Sequence, residues 1–499
     1  MGRIARRSLL VGAGAIAGAM AARNLPGGTA SRGAPMPAPG GDDGATILND
    51  ASELSPVRVA RHVMVEQAPD DALVDAIRAE IAEARGEGRP VAVGAARHSM
   101  GGQSLAADGT ALTFRQQWME PDTAASTFRT AAGTRWSTVI AELDRIGFSP
   151  AVMQSNNDFG VASTFCVNAH GWPVPYGPFG STVRSFRMVM ADGELVECSR
   201  EANRDLFELQ MGGYGLAGII VDLVVDMVSN RLLVPSYRRM PAQDFGAAFV
   251  EAIAGGSGVS MAYGRLDVAL DRFFDEALLI TYTDAASQDD LPPASGSGFA
   301  SHVSRQIYRA QNGSDRMKKL RWWMETVAGP AAAGEATRNS LMNEPVVTLD
   351  DRDPARTDIL HEYFVPPDRF ADFVQACREV IPTSYQEMLN ITLRYVAADT
   401  ESVLSFAPQP RIAGVMSFSQ EKSVRAEEDM RRMTRELIDR VLELGGAYYL
   451  PYRLHARADQ LERAYPRVGE FVRRKIEADP QRVFRNALWD RYMAGGDFA

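Results

Sequence analysis

Cysteine is scarce in this chain. Three residues in 499, Cys166, Cys198 and Cys377, stand apart from one another, and none forms a Cys-x-x-Cys pair. Neither a disulfide framework nor a zinc site can be read from such spacing, and no metal site is expected. Positive charge is not in excess either: 53 Lys and Arg face 63 Asp and Glu, for a net charge of −10. A nucleic-acid binder would carry a basic surface, so nucleic acid is excluded as a partner. Long apolar runs are missing as well. The most apolar N-terminal stretch, residues 9–19, is too short and too rich in glycine to span a bilayer. No internal repeat is found.

What the N-terminus does contain is a signal pattern. Arg3, Arg6 and Arg7 form a basic region ahead of the Gly/Ala-rich run, and Ala19-Met20-Ala21 fits a small-residue cleavage site. The Arg6-Arg7 pair resembles a twin-arginine signal, which implies export of a folded protein to the periplasm or cell envelope. Residues 23–54, rich in Pro, Gly, Ala and Ser, read as a disordered linker.

Globular pattern follows. Residues 70–86 have helical periodicity, with Leu73, Ile77, Ile81 and Ala84 on one side. Residues 91–93, 111–114 and 126–132 read as strands, and 137–146 as a helix ended by Gly147. Residues 186–191 and 194–198 form a hairpin around Asp192-Gly193. Residues 205–210 read as a short helix and 219–228 as a strand. Short α and β pieces in this alternation predict an α+β domain over 55–230. A second α+β body is expected over 231–445, with β-rich runs at 361–365, 390–396 and 412–418 and an amphipathic helix at 426–444. The segment 446–499 completes the chain. Residues 304–328 are basic, with Trp322-Trp323; they read as a packed helix, with contact to a membrane surface as the alternative.

The most informative stretch is VAVGAARHSMGGQS, residues 91–104. An apolar strand enters a turn of small residues. Gly94, Gly101 and Gly102 permit close backbone approach, Ala95 and Ala96 keep the turn small, and Ser99 and Gln103 add polar groups. Such a turn can aim several backbone N–H groups at a phosphate. Arg97 and His98 sit in its middle. The G-x-G-x-x-G fingerprint of a Rossmann site is absent. A second stretch rich in Gly, Ser and Asn, residues 155–171, offers Asp158, Val161, Ser163, Thr164, Asn168, His170 and Gly171. A third, residues 212–220, places Gly218 before Ile219 and Ile220, where a strand edge can meet a planar base.

Taken in order, these three segments resemble the FAD-binding domain of the vanillyl-alcohol oxidase/para-cresol methylhydroxylase (PCMH) superfamily. The resemblance implies a two-part, PCMH-type FAD-binding domain and a cap domain, with the C-terminal segment returning to the FAD domain. It implies that the loop around 93–102 wraps the FAD pyrophosphate, that 158–171 lines the ribityl chain and flavin ring, and that 218–220 lies at the adenine end. Gly94-Ala95-Ala96-Arg97-His98-Ser99 looks most like the alditol and aldonolactone oxidases, in which this histidine is bonded covalently to the flavin. Carried over, His98 becomes the attachment site. A neutral imidazole is nucleophilic, and the cationic neighbour Arg97 is expected to discourage its protonation.

The C-terminal half adds further resemblance. In NITLRYVAADTESVL, residues 390–404, Arg394 falls on the arginine that lies near substrate and flavin in sugar-type oxidases, while Thr392 replaces the family's acidic residue. Residues 447–492 resemble decaprenylphosphoryl ribose oxidase. There the strand equivalent to 449–453 carries a lysine near the flavin. Here Tyr452 takes that place with Arg453 beside it, so either Tyr452 donates a hydrogen bond or Arg453 supplies the charge. Asp479-Pro480 and Phe484-Arg485-Asn486 match the family's closing turn.

Together the resemblance implies an FAD-dependent oxidase or dehydrogenase acting on the CH–OH group of a sugar, alditol, aldonolactone or lipid-linked sugar, with oxygen or another electron acceptor as partner. A flavin-fold binding protein without turnover is the alternative from another class.

Overall fold

The computed structural model describes residues 34, 36, 46–295, 308–344 and 353–495. The expected signal at 1–22 and most of the expected linker lie outside the described residues. The linker's end needs correction. Thr46–Leu48 is a strand antiparallel to Val57–Val59, and Asp50, Ser52 and Leu54 are buried. The cause is Asp50, whose carboxylate accepts hydrogen bonds from the backbone N–H of Ser52 at 3.0 Å and of Gly102 at 2.8 Å.

A small parallel sheet carries the opening strand. Its order is Arg61–Val65, Thr110–Phe114, Val91–Gly94. The helix Asp71–Gly86 starts at Asp70, whose side chain accepts from the N–H of Leu73 at 3.1 Å, and buries Leu73, Val74, Ile77, Ile81 and Ala84. On the free side of Val91 the C-terminal chain docks: Val91 N–H donates to the Val483 carbonyl at 2.7 Å, and Arg485 N–H donates to the Val91 carbonyl at 3.2 Å.

An antiparallel sheet stands beside it, in the order Leu195–Ser199, Val183–Val189, Ile219–Ser229, Thr127–Ala131, Met119–Asp122, with Phe148–Pro150 paired to the end of the 219–229 strand. The hairpin turn at Asp192-Gly193 is present, with Gly193 at φ +93°.

The largest sheet has eight antiparallel strands, in the order Ala336–Thr337, Leu232–Pro241, Glu276–Asp284, Val259–Leu266, Glu387–Val396, Arg411–Glu421, Arg356–Val365, Ala447–Tyr448. Phe245, Phe249, Phe370, Phe373, Met430, Met433 and Leu437 belong to one core, built from the helices Phe245–Ala252, Phe370–Val380 and Val424–Glu443 with this sheet. Met261, Leu278, Ile280 and Tyr282 join instead the core of the two smaller sheets. The eight-stranded sheet therefore takes part in two apolar cores, and the mix of elements is α+β.

Two local readings differ from the structure. Within 155–171 the segment Val161–Cys166 is a short helix, anchored where the Trp136 indole N–H donates to Thr164 Oγ1 at 2.8 Å. The strand expected at 449–453 ends at Tyr448, and Pro451 lies in the turn that follows. The basic stretch is helical as expected over Asp315–Trp323 and on through Met324–Ala328, with Trp322 buried and Trp323 53% exposed. Among the described residues no helix is long and apolar enough to cross a membrane.

Candidate functional site

The opening loop, the helix Val161–Cys166 and the 212–220 segment meet strand residues of the eight-stranded sheet around one cleft of about 1330 Å³, open solvent included. Of the residues singled out from the sequence, Gly94, Ala95, Ala96, Arg97, His98, Ser99, Gln103, Ser163, His170, Gly218, Ile220, Arg394 and Tyr452 line it. Residues more than 350 positions apart, such as His98 and Tyr452, thus share one wall system.

The loop holds its shape by close packing. A Cβ on Gly101 would lie 2.6 Å from the Tyr452 carbonyl oxygen, so only glycine lets the C-terminal segment seat there. Gln103 binds the same segment, its side-chain amide donating to the carbonyls of Leu450 at 2.7 Å and Tyr452 at 2.8 Å. Of the loop's three glycines only Gly101's neighbour Gly102 takes a left-handed conformation, at φ +74°; the other left-handed residue of the loop is Arg97, at φ +55°. That strain is held by Arg97's own contacts. Its guanidinium donates to Thr113 Oγ1 and lies 3.3 Å from His62 Nε2, and its carbonyl accepts from Ala51 N–H at 2.9 Å.

His98 faces Phe159, with ring centroids 4.4 Å apart. Burial pushes its imidazole down to about 4; Arg135 adds to this and Asp158 opposes it. The imidazole is therefore neutral at physiological pH, as expected, but burial and Arg135 do this, while Arg97 is turned toward Thr113. His98 Nε2 is buried without a hydrogen-bond partner among the described residues.

Several expected site residues stand behind the wall. Gly102 is tied to Asp50. Val161 is core, and Thr164 bridges Trp136 and Gln154. Asn168 links Asp399 and the N–H of Gly180, at 2.9 and 2.8 Å. Gly171 allows the chain to pass Met153, whose carbonyl oxygen would be 1.9 Å from a Cβ. Asp158 is not among the lining residues and acts on His98 and Arg135 through its charge. Of the alternatives at 452 and 453, Tyr452 borders the cleft. Arg453 points away: it donates to Ser55 Oγ at 2.7 Å and to Glu427 Oε1 at 2.6 Å.

Arg394 is 9% exposed. It donates to the His170 carbonyl at 3.1 Å and to Ser155 Oγ at 2.5 Å, and its Nε has no partner among the described residues. Burial lowers the affinity of this guanidinium for its proton, while Glu362 opposes that effect. Glu362 was not read from the sequence. It lies in the buried half of the strand Arg356–Val365 and lines the cleft, with Tyr452 OH donating to its Oε2 at 3.0 Å. Burial and Glu362 raise the Tyr452 phenol well above its usual range, so it stays a donor. A carboxylate directly before the apolar run Tyr363-Phe364-Val365 is the signal that could have found it, because an ionisable group is buried only with a partner.

Residues 72–199 match a family described as an FAD binding domain. A Neurospora crassa protein with the provisional name D-arabinono-1,4-lactone oxidase is 30% identical over 97 residues, 19% of this chain and 17% of its own. Cytokinin dehydrogenase 9 of Oryza sativa subsp. japonica is 30% identical over 128 residues, 25% of each chain. Cytokinin dehydrogenase 7 of the same plant is 31% identical over 170 residues, 32% of each chain. The chain thus spans no more than a third of the length of these curated relatives. The cleft suits the cofactor of the matched family. Arg97 Nε, His98 Nε2, Ser104 Oγ and Gln210 Oε1 belong to residues that line it, and all four are buried polar atoms without a partner among the described residues. Such atoms are costly to bury unless a ligand meets them.

Proposed function

We propose that this chain, whose residues 72–199 match an FAD binding domain, is an FAD-dependent oxidoreductase of the vanillyl-alcohol oxidase/PCMH superfamily that oxidises a CH–OH group of a sugar, alditol, aldonolactone or sugar-lipid. The observation that carries this reading is that Arg394 and Tyr452 line the same cleft as the His98 loop. The guanidinium Nε–H of Arg394, unpartnered among the described residues, can be aimed at a substrate oxygen, where it favours the charge that develops, while Tyr452, whose proton goes to Glu362, offers its phenolic oxygen as an acceptor. Bound FAD supplies the hydride-accepting centre.

The loop at 94–104, with Ser163, Gly218 and Ile220, would hold the cofactor, and a ring nitrogen of His98 would be its covalent attachment point. A neutral, buried imidazole is the form able to act as nucleophile. The D-arabinono-1,4-lactone oxidase relative supports a polyhydroxylated substrate. Oxygen or another acceptor then takes the electrons.

The test is anaerobic. The purified holoprotein is mixed with xylitol, with D-arabinono-1,4-lactone and with a cytokinin, and flavin absorbance near 450 nm is followed. Bleaching by either polyhydroxylated compound is expected. Bleaching by the cytokinin alone would replace this reading with amine oxidation, and bleaching by none of a broad alcohol panel would favour a binding protein.

A further inference from the structure

Behind Tyr452 stands a residue pair with no role so far. Glu362 is 3% exposed, and both of its carboxylate oxygens are engaged: Oε2 accepts from the Tyr452 hydroxyl at 3.0 Å, and Oε1 is bonded to His170 Nε2. His170 is 2% exposed, lines the cleft, and has its Nδ1 buried with no partner among the described residues. A carboxylate only accepts, so its bond to Nε2 places the imidazole proton there and leaves Nδ1 as a bare lone pair. Aromatic neighbours fix the ring: Phe364, Phe406 and Tyr449 lie at centroid distances of 5.4, 5.9 and 6.1 Å. Arg394 donates to the backbone carbonyl of the same histidine at 3.1 Å, so cation and imidazole are mounted together.

We propose that His170 is the base that takes the substrate's hydroxyl proton, and that Glu362 is the positioning residue that fixes its tautomer and balances the imidazolium once formed. The arrangement is a buried carboxylate–imidazole pair, both residues lining the cleft, with the second imidazole nitrogen left without a partner among the described residues. Nδ1 binds the hydroxyl proton, the O–H electron pair becomes the second bond of the carbonyl, and the carbon's hydrogen leaves with its electron pair to FAD, the two-electron oxidant. The proposal rests on the CH–OH reading above. It also explains how the site works without the lysine that the resembled oxidases carry at position 452.

The charged and titratable groups around His170 are Glu362 on the strand Arg356–Val365, Arg394 on the strand Glu387–Val396, and Tyr449 and Tyr452 on the segment after Tyr448. Proton abstraction by a positioned base contributes roughly 10²–10⁴-fold. The experiment is stopped-flow flavin reduction by xylitol or D-arabinono-1,4-lactone, whichever bleaches the wild type, from pH 5 to 9. The wild-type rate constant should rise with pH through one ionisation. In His170→Gln it should fall about 10³-fold and lose that limb, with the apparent Kd for substrate changed less than threefold. Glu362→Gln should fall about 10²-fold. Nitrogen-15 NMR of the resting holoprotein supplies a readout independent of turnover and of any variant: His170 should carry its proton on Nε2. A proton on Nδ1 would overturn the proposal, as would a His170→Gln protein that keeps the wild-type rate and pH limb. If the wild type is not bleached by any alcohol, the CH–OH reading fails first, while the NMR result still decides the tautomer.

Discussion

Asp50 Oδ2 accepts a hydrogen bond from the backbone N–H of Gly102 at 2.8 Å, across 52 positions of sequence. The same carboxylate, through Oδ1, also accepts from Ser52. A carboxyl group outside the globular pattern expected from the sequence is thus the floor of the loop that would hold the cofactor. Replacing it by alanine leaves the buried Gly102 N–H unpaired, a cost of about 1–3 kcal/mol. Asp50→Ala should unfold at lower urea and purify with a reduced flavin-to-protein ratio. Unchanged values for both would show that the loop keeps its shape without this anchor.

Acid precipitation tests the attachment at His98. Flavin colour should stay with the wild-type pellet and pass to the supernatant in His98→Ala. Colour in the wild-type supernatant would remove the covalent role, while the FAD-binding assignment would stand.

Lys475 and Asp479 form an ion pair at 2.7 Å with both side chains fully buried, and Asp479 also accepts from the N–H groups of Val483 and Phe484 at 2.9 and 2.8 Å. Asp479→Asn strands a buried ammonium, a loss of about 3–5 kcal/mol. The double replacement Lys475→Met with Asp479→Asn should recover part of that stability, read as the urea midpoint. Equal midpoints for the single and double variants would count against the pair as the cause.

His361 supplies a pH dependence. Burial pushes its imidazole down to about 3, with His455 and Arg453 adding to the effect and Glu427 opposing it. Between about 3 and the ordinary value of about 6.5, the unfolded chain binds a proton that the folded one refuses. Stability is therefore fully present above about pH 6.5 and is lost as pH falls toward 3. His361→Gln should show a flatter urea midpoint between pH 7 and 4 than the wild type. An unchanged slope would place the acid sensitivity elsewhere, with His455, also lowered by burial, as the next group to test.

Residues that announce themselves by period or by local chemistry were legible in the sequence. The helix Asp71–Gly86 has its apolar spacing and its Asp70 cap, and the hairpin has Asp192-Gly193. The loop at 94–104 has a run of small residues that few other structures would need. The helix Val161–Cys166 was not legible, because VASTFC mixes β-branched and small residues with no apolar stripe, and its stability comes from Trp136, a tertiary contact. Glu362 was hidden for a related reason. Its partner His170 lies 192 positions away, and the strand around it reads as core. Arg453 and Tyr452 are adjacent in sequence, but their side chains separate, one to Glu427 and one to Glu362. Only the path of the backbone after Tyr448 decides which faces the cleft.

The pairing of Val91 with residues 483–485 sets an order of events during synthesis. The strand that feeds the His98 loop is made early, yet its second edge stays bare until almost four hundred more residues have been added. Until then that edge offers unpaired N–H and C=O groups to any passing strand. A chain cut short before residue 483 would keep that adhesive edge beside the 94–104 loop.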